Sequence, residues 1–122
     1  MLKHLSITNY AIIENVELEF NEGFTVITGE TGAGKSILLG ALSLILGKRA
    51  DTSVLNNKQK KCIVEGEFLL EKTEYIDFFE QNDLDYEENS ILRREIGAAG
   101  KSRAFINDTP VSLNTLKALT SQ

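Results

Sequence analysis

The sequence predicts a mixed α/β fold with α+β character, and three observations carry that prediction. A short β-branched and aromatic run, Phe24-Thr25-Val26-Ile27-Thr28, leads into a glycine-rich octapeptide and then into a long apolar run, the order strand, loop, buried helix. Around this unit lie period-two stretches joined by turn signals, which places an antiparallel β portion next to it. The composition, 42% hydrophobic and 25% charged over 122 residues, is that of a soluble globular domain, one domain over 1–122 or part of one.

Taken in order, Leu5-Ser6-Ile7-Thr8 alternates apolar with polar and predicts a first strand stopped by Asn9, with Tyr10 to Ile13 bridging to the next. Val16-Glu17-Leu18-Glu19-Phe20 is the clearest alternation, its apolar residues on one face and its glutamates on the other. Asn21-Glu22-Gly23 predicts a turn that makes a hairpin with the Phe24–Thr28 strand. Ile37 to Leu46 is apolar nearly all round, a buried helix that Gly47 ends. Lys48 to Lys61 is polar and aperiodic, a mobile surface loop. Cys62 to Leu70 returns to strand character, with a bulge at Gly66. Thr73 caps a short helix that runs to about Asn82, with Ile76, Phe78 and Phe79 as a core stripe. Ser90 to Ile96 and Arg103 to Asn107 form two further strands about a turn at Gly97 to Gly100. After a turn at Asn107-Asp108-Thr109-Pro110, Ser112 caps a last helix in which Leu113, Leu116 and Leu119 share a face. No linker, repeat or charged tail marks a second domain.

The octapeptide carries the chemistry. Gly29-Glu30-Thr31-Gly32-Ala33-Gly34-Lys35-Ser36 fits G-x-x-x-x-G-K-[ST], a loop that holds nucleotide phosphates. A triphosphate concentrates negative charge. Glycines let the backbone turn its N–H groups inward and approach closely, and the helix that starts here aims its free N–H groups and positive dipole end at the same place. Lys35 supplies a mobile positive charge for the outer phosphates and Ser36 a hydroxyl for Mg²⁺.

Other residue classes point to less. The net charge of −5 argues against the whole chain acting as a nucleic-acid glove, although Lys48-Arg49, Lys58 with Lys60-Lys61, Arg93-Arg94, and Lys101 with Arg103 form local basic patches, solvated surface or phosphate contacts. The single cysteine, Cys62, lies in an apolar strand pattern and reads as a buried bystander. His4 has no acidic or cysteine partner at ligand spacing and reads as surface. The start of the chain lacks the apolar run of a signal peptide and Ile37–Leu46 is too short to span a bilayer, so a cytoplasmic protein without a membrane partner is expected. Hydrolysis needs an acid at the end of an apolar strand to help hold Mg²⁺, and none is convincing. Asp77 and Asp85 follow residues too polar, and Glu65 and Glu67 sit on the solvent face of a strand.

The stretches Leu5 to Ile13, Thr28 to Ile37, Leu44 to Ala50 and Lys101 to Asn107, in this order, resemble the N-terminus of the RecN family of bacterial DNA repair proteins, a likeness that covers essentially the whole chain. That family is similar to the SMC class, whose ABC-type ATPase head is split in sequence by a long antiparallel coiled coil. The resemblance implies the N-terminal portion of a half-head, with the Walker B acid, the signature motif and the coiled coil absent, and ending just before the Q-loop glutamine. Gln122 is not assigned that role. It implies ATP and Mg²⁺ as cofactors, with Gly29, Glu30, Thr31, Gly32, Ala33, Gly34, Lys35, Ser36 and Ile37 around the nucleotide, Lys35 as the catalytic residue and Ser36 as the metal ligand. Tyr10 is a candidate for packing against adenine, the alternative being a core role, and Arg49 one for DNA or a composite ATP site. The implied partners are DNA, at double-strand breaks in the full-length protein, and a second RecN-like head in a homodimer, on the nucleoid when acting.

Two rivals remain at the level of sequence. One is a complete small P-loop kinase or GTPase, for which a metal-holding acid and a substrate lid are lacking. The other is an ATP- or DNA-binding module without turnover. A partial head would also expose apolar surface and tend to associate.

Overall fold

The computed structural model describes residues 2–20, 32–50 and 52–121, with only the backbone described for 32–35. In chain order the elements are β1 (Leu2–Tyr10), β2 (Ile13–Glu19), α1 (Gly32–Ile45), a 3-10 turn (Thr52–Val54), β3 (Cys62–Leu69), α2 (Lys72–Gln81), β4 (Asn89–Ile96), β5 (Ser102–Ile106), β6 (Thr109–Val111) and α3 (Leu113–Thr120). The strands form one sheet in the order β2-β1-β3-β4-β5-β6, and every described pair is antiparallel. The predicted Asn21–Gly23 turn and Phe24–Thr28 strand lie outside the described residues.

Alternation decides which way the sheet faces. Leu5 and Ile7 of β1, Cys62 and Val64 of β3, Leu92 and Ile96 of β4, and Ala104 and Ile106 of β5 are buried and share a core with Ala41, Leu44 and Ile45 of α1 and Leu116 and Leu119 of α3. Burying these side chains, at about 1.5–3 kcal/mol each for the larger aliphatic ones, is what holds α1 and α3 to the sheet. On the other face the pairing register aligns Glu65 of β3 with Arg93 of β4, and Arg93 stacks over Phe105 of β5 at 4.3 Å. Phe79 is fully buried and meets Tyr86 edge to face at 5.5 Å, so α2 is a core element, as its apolar stripe predicts.

Five local expectations change. β1 continues past Thr8 through Asn9, whose φ of 58° lies in the left-handed region that asparagine tolerates. The buried Asn9 side chain donates to the carbonyls of Asn57 (3.0 Å) and Lys60 (2.9 Å) and accepts from the Asn57 N–H at 2.6 Å. Segment 52–61 is therefore built onto the end of β1 rather than being a plain loop, and Leu55 within it is buried and bridges Tyr10. Gly66 makes no bulge: it pairs regularly with Leu5 and Leu92, and the register shift lies between Leu2 and His4. Its role is close approach, because a Cβ there would stand 2.6 Å from Ile45 Cδ1 and 2.9 Å from Phe68 Cε1. Thr73 lies inside α2, and Glu71 occupies the N-cap position with no side-chain cap bond. The Thr109–Val111 segment is a short strand, missed because it holds only three residues, one of them Pro110.

Candidate functional site

α1 begins at Gly32, the second glycine of the octapeptide, and runs 14 residues, about 20 Å. Its first turn carries no acidic residue, so nothing there opposes an anion at the free N–H groups. Ser36 is exposed and Ile37 half-buried. Gly29, Glu30 and Thr31 lie outside the described residues, as do the side chains of Gly32, Ala33, Gly34 and Lys35. What is on view is a helix N-terminus at the sequence position where a phosphate loop needs one, with an exposed hydroxyl residue, Ser36, in its opening turns. Such a donor set suits a phosphate with its accompanying Mg²⁺.

The far end of α1 is closed by a glycine cap. Gly47 has φ +102°, its N–H donates to Leu44 O (3.2 Å) and the Lys48 N–H donates to Ser43 O (3.1 Å), the two bonds of a Schellman ending. Beside this cap opens a cavity of about 410 Å³ lined by Tyr10, Ser43, Lys48, Arg49 and Ser53 among others. The Tyr10 hydroxyl would stand 2.5 Å from a Cβ at position 40, so Gly40 is what lets β1's end lie on the helix, and burial raises the Tyr10 pKa. Tyr10 and Arg49, singled out separately in the sequence, thus line one hollow.

The basic patches divide. Lys61, Lys101 and Arg103 come together around a second hollow of about 260 Å³, where Lys61 also pairs with Glu95 at 3.4 Å. Lys58 donates to Thr52 O at 2.9 Å. Arg93 and Arg94, adjacent in sequence, point to opposite faces of the sheet. Arg93 stays on the open face near Glu65 (3.7 Å), Glu95 (3.3 Å) and Asp108 (3.7 Å). Arg94 is 1% exposed, so it is no surface patch residue; it donates to Leu44 O (3.0 Å), Lys48 O (2.6 Å) and Ser102 Oγ (2.8 Å). Its pKa is lowered, chiefly by burial.

The pairing of Glu65 with Arg93 gives that carboxylate a structural occupation, and no group of His, Cys, Asp and Glu among the described residues is arranged to hold a metal ion. His4 does have acidic neighbours, Glu17 at 3.2 Å and Glu19 at 3.5 Å, brought there by cross-strand pairing with β2 that linear spacing hides. Cys62 is fully buried and its thiol is pushed up to about 11 by desolvation, the inert state expected of it. Among the described residues Ile12 (79%), Leu39 (52%), Leu46 (42%) and Ile91 (38%) are large apolar side chains left exposed. Among the described residues no helix is long and apolar enough to cross a membrane. Asn9, Gly66 and Arg94 were not legible as anchors in the sequence.

A family model described as an AAA domain matches residues 4–122. The DNA repair protein RecN of Vibrio cholerae is 47% identical over 120 residues, which cover 98% of this chain and 22% of that protein. The chain spans about a fifth of the length of the curated relatives it matches. Among solved structures, the Smc head domain of Pyrococcus furiosus, with an extended coiled coil and bound to the C-terminal domain of ScpA, superposes with a TM-score of 0.78 at 18% identity over 98% of this chain and 32% of that one. The recombination mediator protein RecF with ATP, of the RecFOR pathway, gives 0.69 at 21% identity over 95% of this chain and 30% of that one. At these identities the likeness is one of fold, and it places the antiparallel sheet and α1 in the architecture of ATPase heads.

Proposed function

The chain belongs to the AAA-domain family and is RecN-like along nearly all its length, and from that premise we propose that it is the ATP-binding part of an SMC-like ATPase serving DNA double-strand break repair and recombination. It forms one domain over 1–122, the N-terminal portion of an ABC-type half-head whose remaining parts lie elsewhere in the longer protein. The observation that carries this proposal is the start of α1 at Gly32, within Gly29 to Ser36, with no acid in the helix's first turn.

In this proposal the backbone N–H groups of Gly29 to Gly34 and the N-terminus of α1 cradle the phosphates, and Lys35 holds the outer ones. Ser36 takes its place as a metal ligand, and Ile37 completes the nucleotide contacts. Bound Mg²⁺, which the Ser36 hydroxyl would help hold, would offset the charge of the outer phosphates. These groups act by positioning and charge stabilisation, so turnover depends on an acid outside this chain and on the signature motif of a second, identical head. Tyr10, which lines a hollow with Arg49, is the candidate for packing against the adenine ring. The full-length protein works in the cytoplasm on DNA, at the nucleoid, and uses no membrane partner.

The test is turnover. The isolated chain is expected to bind ATP without steady hydrolysis. Sustained phosphate release by the purified chain, abolished in Lys35→Ala, would contradict the division of the site between this chain and others and would favour a self-sufficient P-loop enzyme.

A further inference from the structure

The carboxyl-terminal end of α1 is gripped from three directions by residues far away in sequence. From the sheet, Gly66 of β3 admits Ile45 at a distance that no side chain would permit. From α3, Thr120 Oγ1 donates to Leu46 O at 2.9 Å. From β4, Arg94 donates through Nη1 to Leu44 O and Lys48 O, while its Nε is fixed by Ser102 Oγ of β5.

A buried guanidinium is costly unless its donors are met and its charge is offset. Every described hydrogen-bond partner of Arg94 is a neutral oxygen, and no carboxylate pairs with it among the described residues. The offset comes from the negative end of the α1 dipole, at which the guanidinium sits. Two carbonyls on either side of the Schellman cap are held by the one nitrogen Nη1 of a planar guanidinium whose Nε is tied to Ser102, which fixes both the axial position of α1 and the direction in which the chain leaves it. A continuous 14-residue helix transmits that position to its other end with little loss.

We propose that Arg94 is a positioning residue for nucleotide binding: by clamping Leu44 O and Lys48 O to the β4–β5 hairpin, it sets where the phosphate loop at the opposite end of α1 stands. This rests on the assignment of Gly29 to Ser36 as an ATP site. Arg94 touches no nucleotide and acts through α1. Phosphate cradles depend on placement to a fraction of an ångström, so loosening the far end weakens binding even in a folded protein.

The experiment measures ATP-Mg affinity of the full chain well below its unfolding midpoint, for the native sequence, Arg94→Met, Arg94→Lys and Arg94→Ala, with circular dichroism confirming the fold. Phe79→Leu, in the core under α2, serves as a control destabilised without touching the clamp. Arg94→Met is expected to bind on the order of tenfold more weakly, Arg94→Lys to fall between, and millimolar guanidinium to restore part of the affinity of Arg94→Ala. Phe79→Leu is expected to bind as the native chain does. If Arg94→Met does not fold, Arg94→Lys together with Ser102→Ala carries the comparison. Folded Arg94 variants with native affinity, or an equal loss in Phe79→Leu, would overturn the inference while leaving the ATP site in place. A native chain that binds no ATP would overturn both.

Discussion

The two ends of α1 are secured in different ways. At its start, the residues proposed to meet a ligand stand together in consecutive positions, Gly29 to Ile37, and the spacing within Gly29 to Ser36 is the signal. At its end, the residues that hold it, Gly66, Arg94, Ser102 and Thr120, come from three strands and a helix spread over more than fifty positions. Ligand chemistry that one loop can supply is local and visible in one dimension. Anchorage against a sheet is assembled by register, and register belongs to the folded chain.

That contrast predicts that substitutions at the end of α1 cost stability and, through Arg94, binding as well, whereas those at its start cost binding alone. The largest effect on stability is expected from Gly66→Val, whose branched side chain would drive into Ile45 Cδ1 and Phe68 Cε1, 2.6 and 2.9 Å from the position of a Cβ. Overpacking of this kind costs roughly 2 kcal/mol, and denaturant unfolding would show it as a lower midpoint. Gly66→Ala should cost less, since Ile45 Cδ1 is the movable end of a side chain. A bulge at Gly66 would instead tolerate either replacement, so the pair separates close approach from backbone irregularity.

A smaller effect is expected at α3. Ser112 Oγ accepts the Thr115 N–H at 3.1 Å, the N-cap bond its sequence predicts. Ser112→Ala should cost about 1 kcal/mol in thermal or urea unfolding. Because α3 reaches α1 through Thr120, the loss should appear also as faster amide exchange at Leu46 and Gly47. No change there would show that α3 frays without disturbing the α1 cap.

The elements were legible where a period or a cap stated them. The alternation in β2 and β4, the glycine ending of α1 at Gly47 and the Ser112 cap each depend on residues within a few positions of one another. Asn9 shows why other features were hidden. Its side chain binds carbonyls 48 and 51 positions away, so an asparagine that predicts the end of a strand instead organises segment 52–61. Arg93-Arg94 shows the same in charge: two adjacent arginines suggest one basic patch, yet the pleat sends one to the open face and the other, by the same alternation, into the core beneath α1. Polarity alone could not foretell that the buried one would find a helix end to offset its charge. At the candidate site, the octapeptide was legible entirely from sequence, and the hollow joining Tyr10 to Arg49 was not, because it depends on Gly40 bringing β1 against α1.

The most direct measurement is a calorimetric or fluorescence titration of the chain with ATP in the presence of Mg²⁺, beside Lys35→Ala. Saturable binding by the native sequence is expected, with a loss of at least tenfold in Lys35→Ala, about 1.4 kcal/mol or more, and an unchanged unfolding midpoint. Equal affinity in the two proteins, or no binding by a folded native chain, would contradict the assignment of Gly29 to Ser36 as the phosphate cradle.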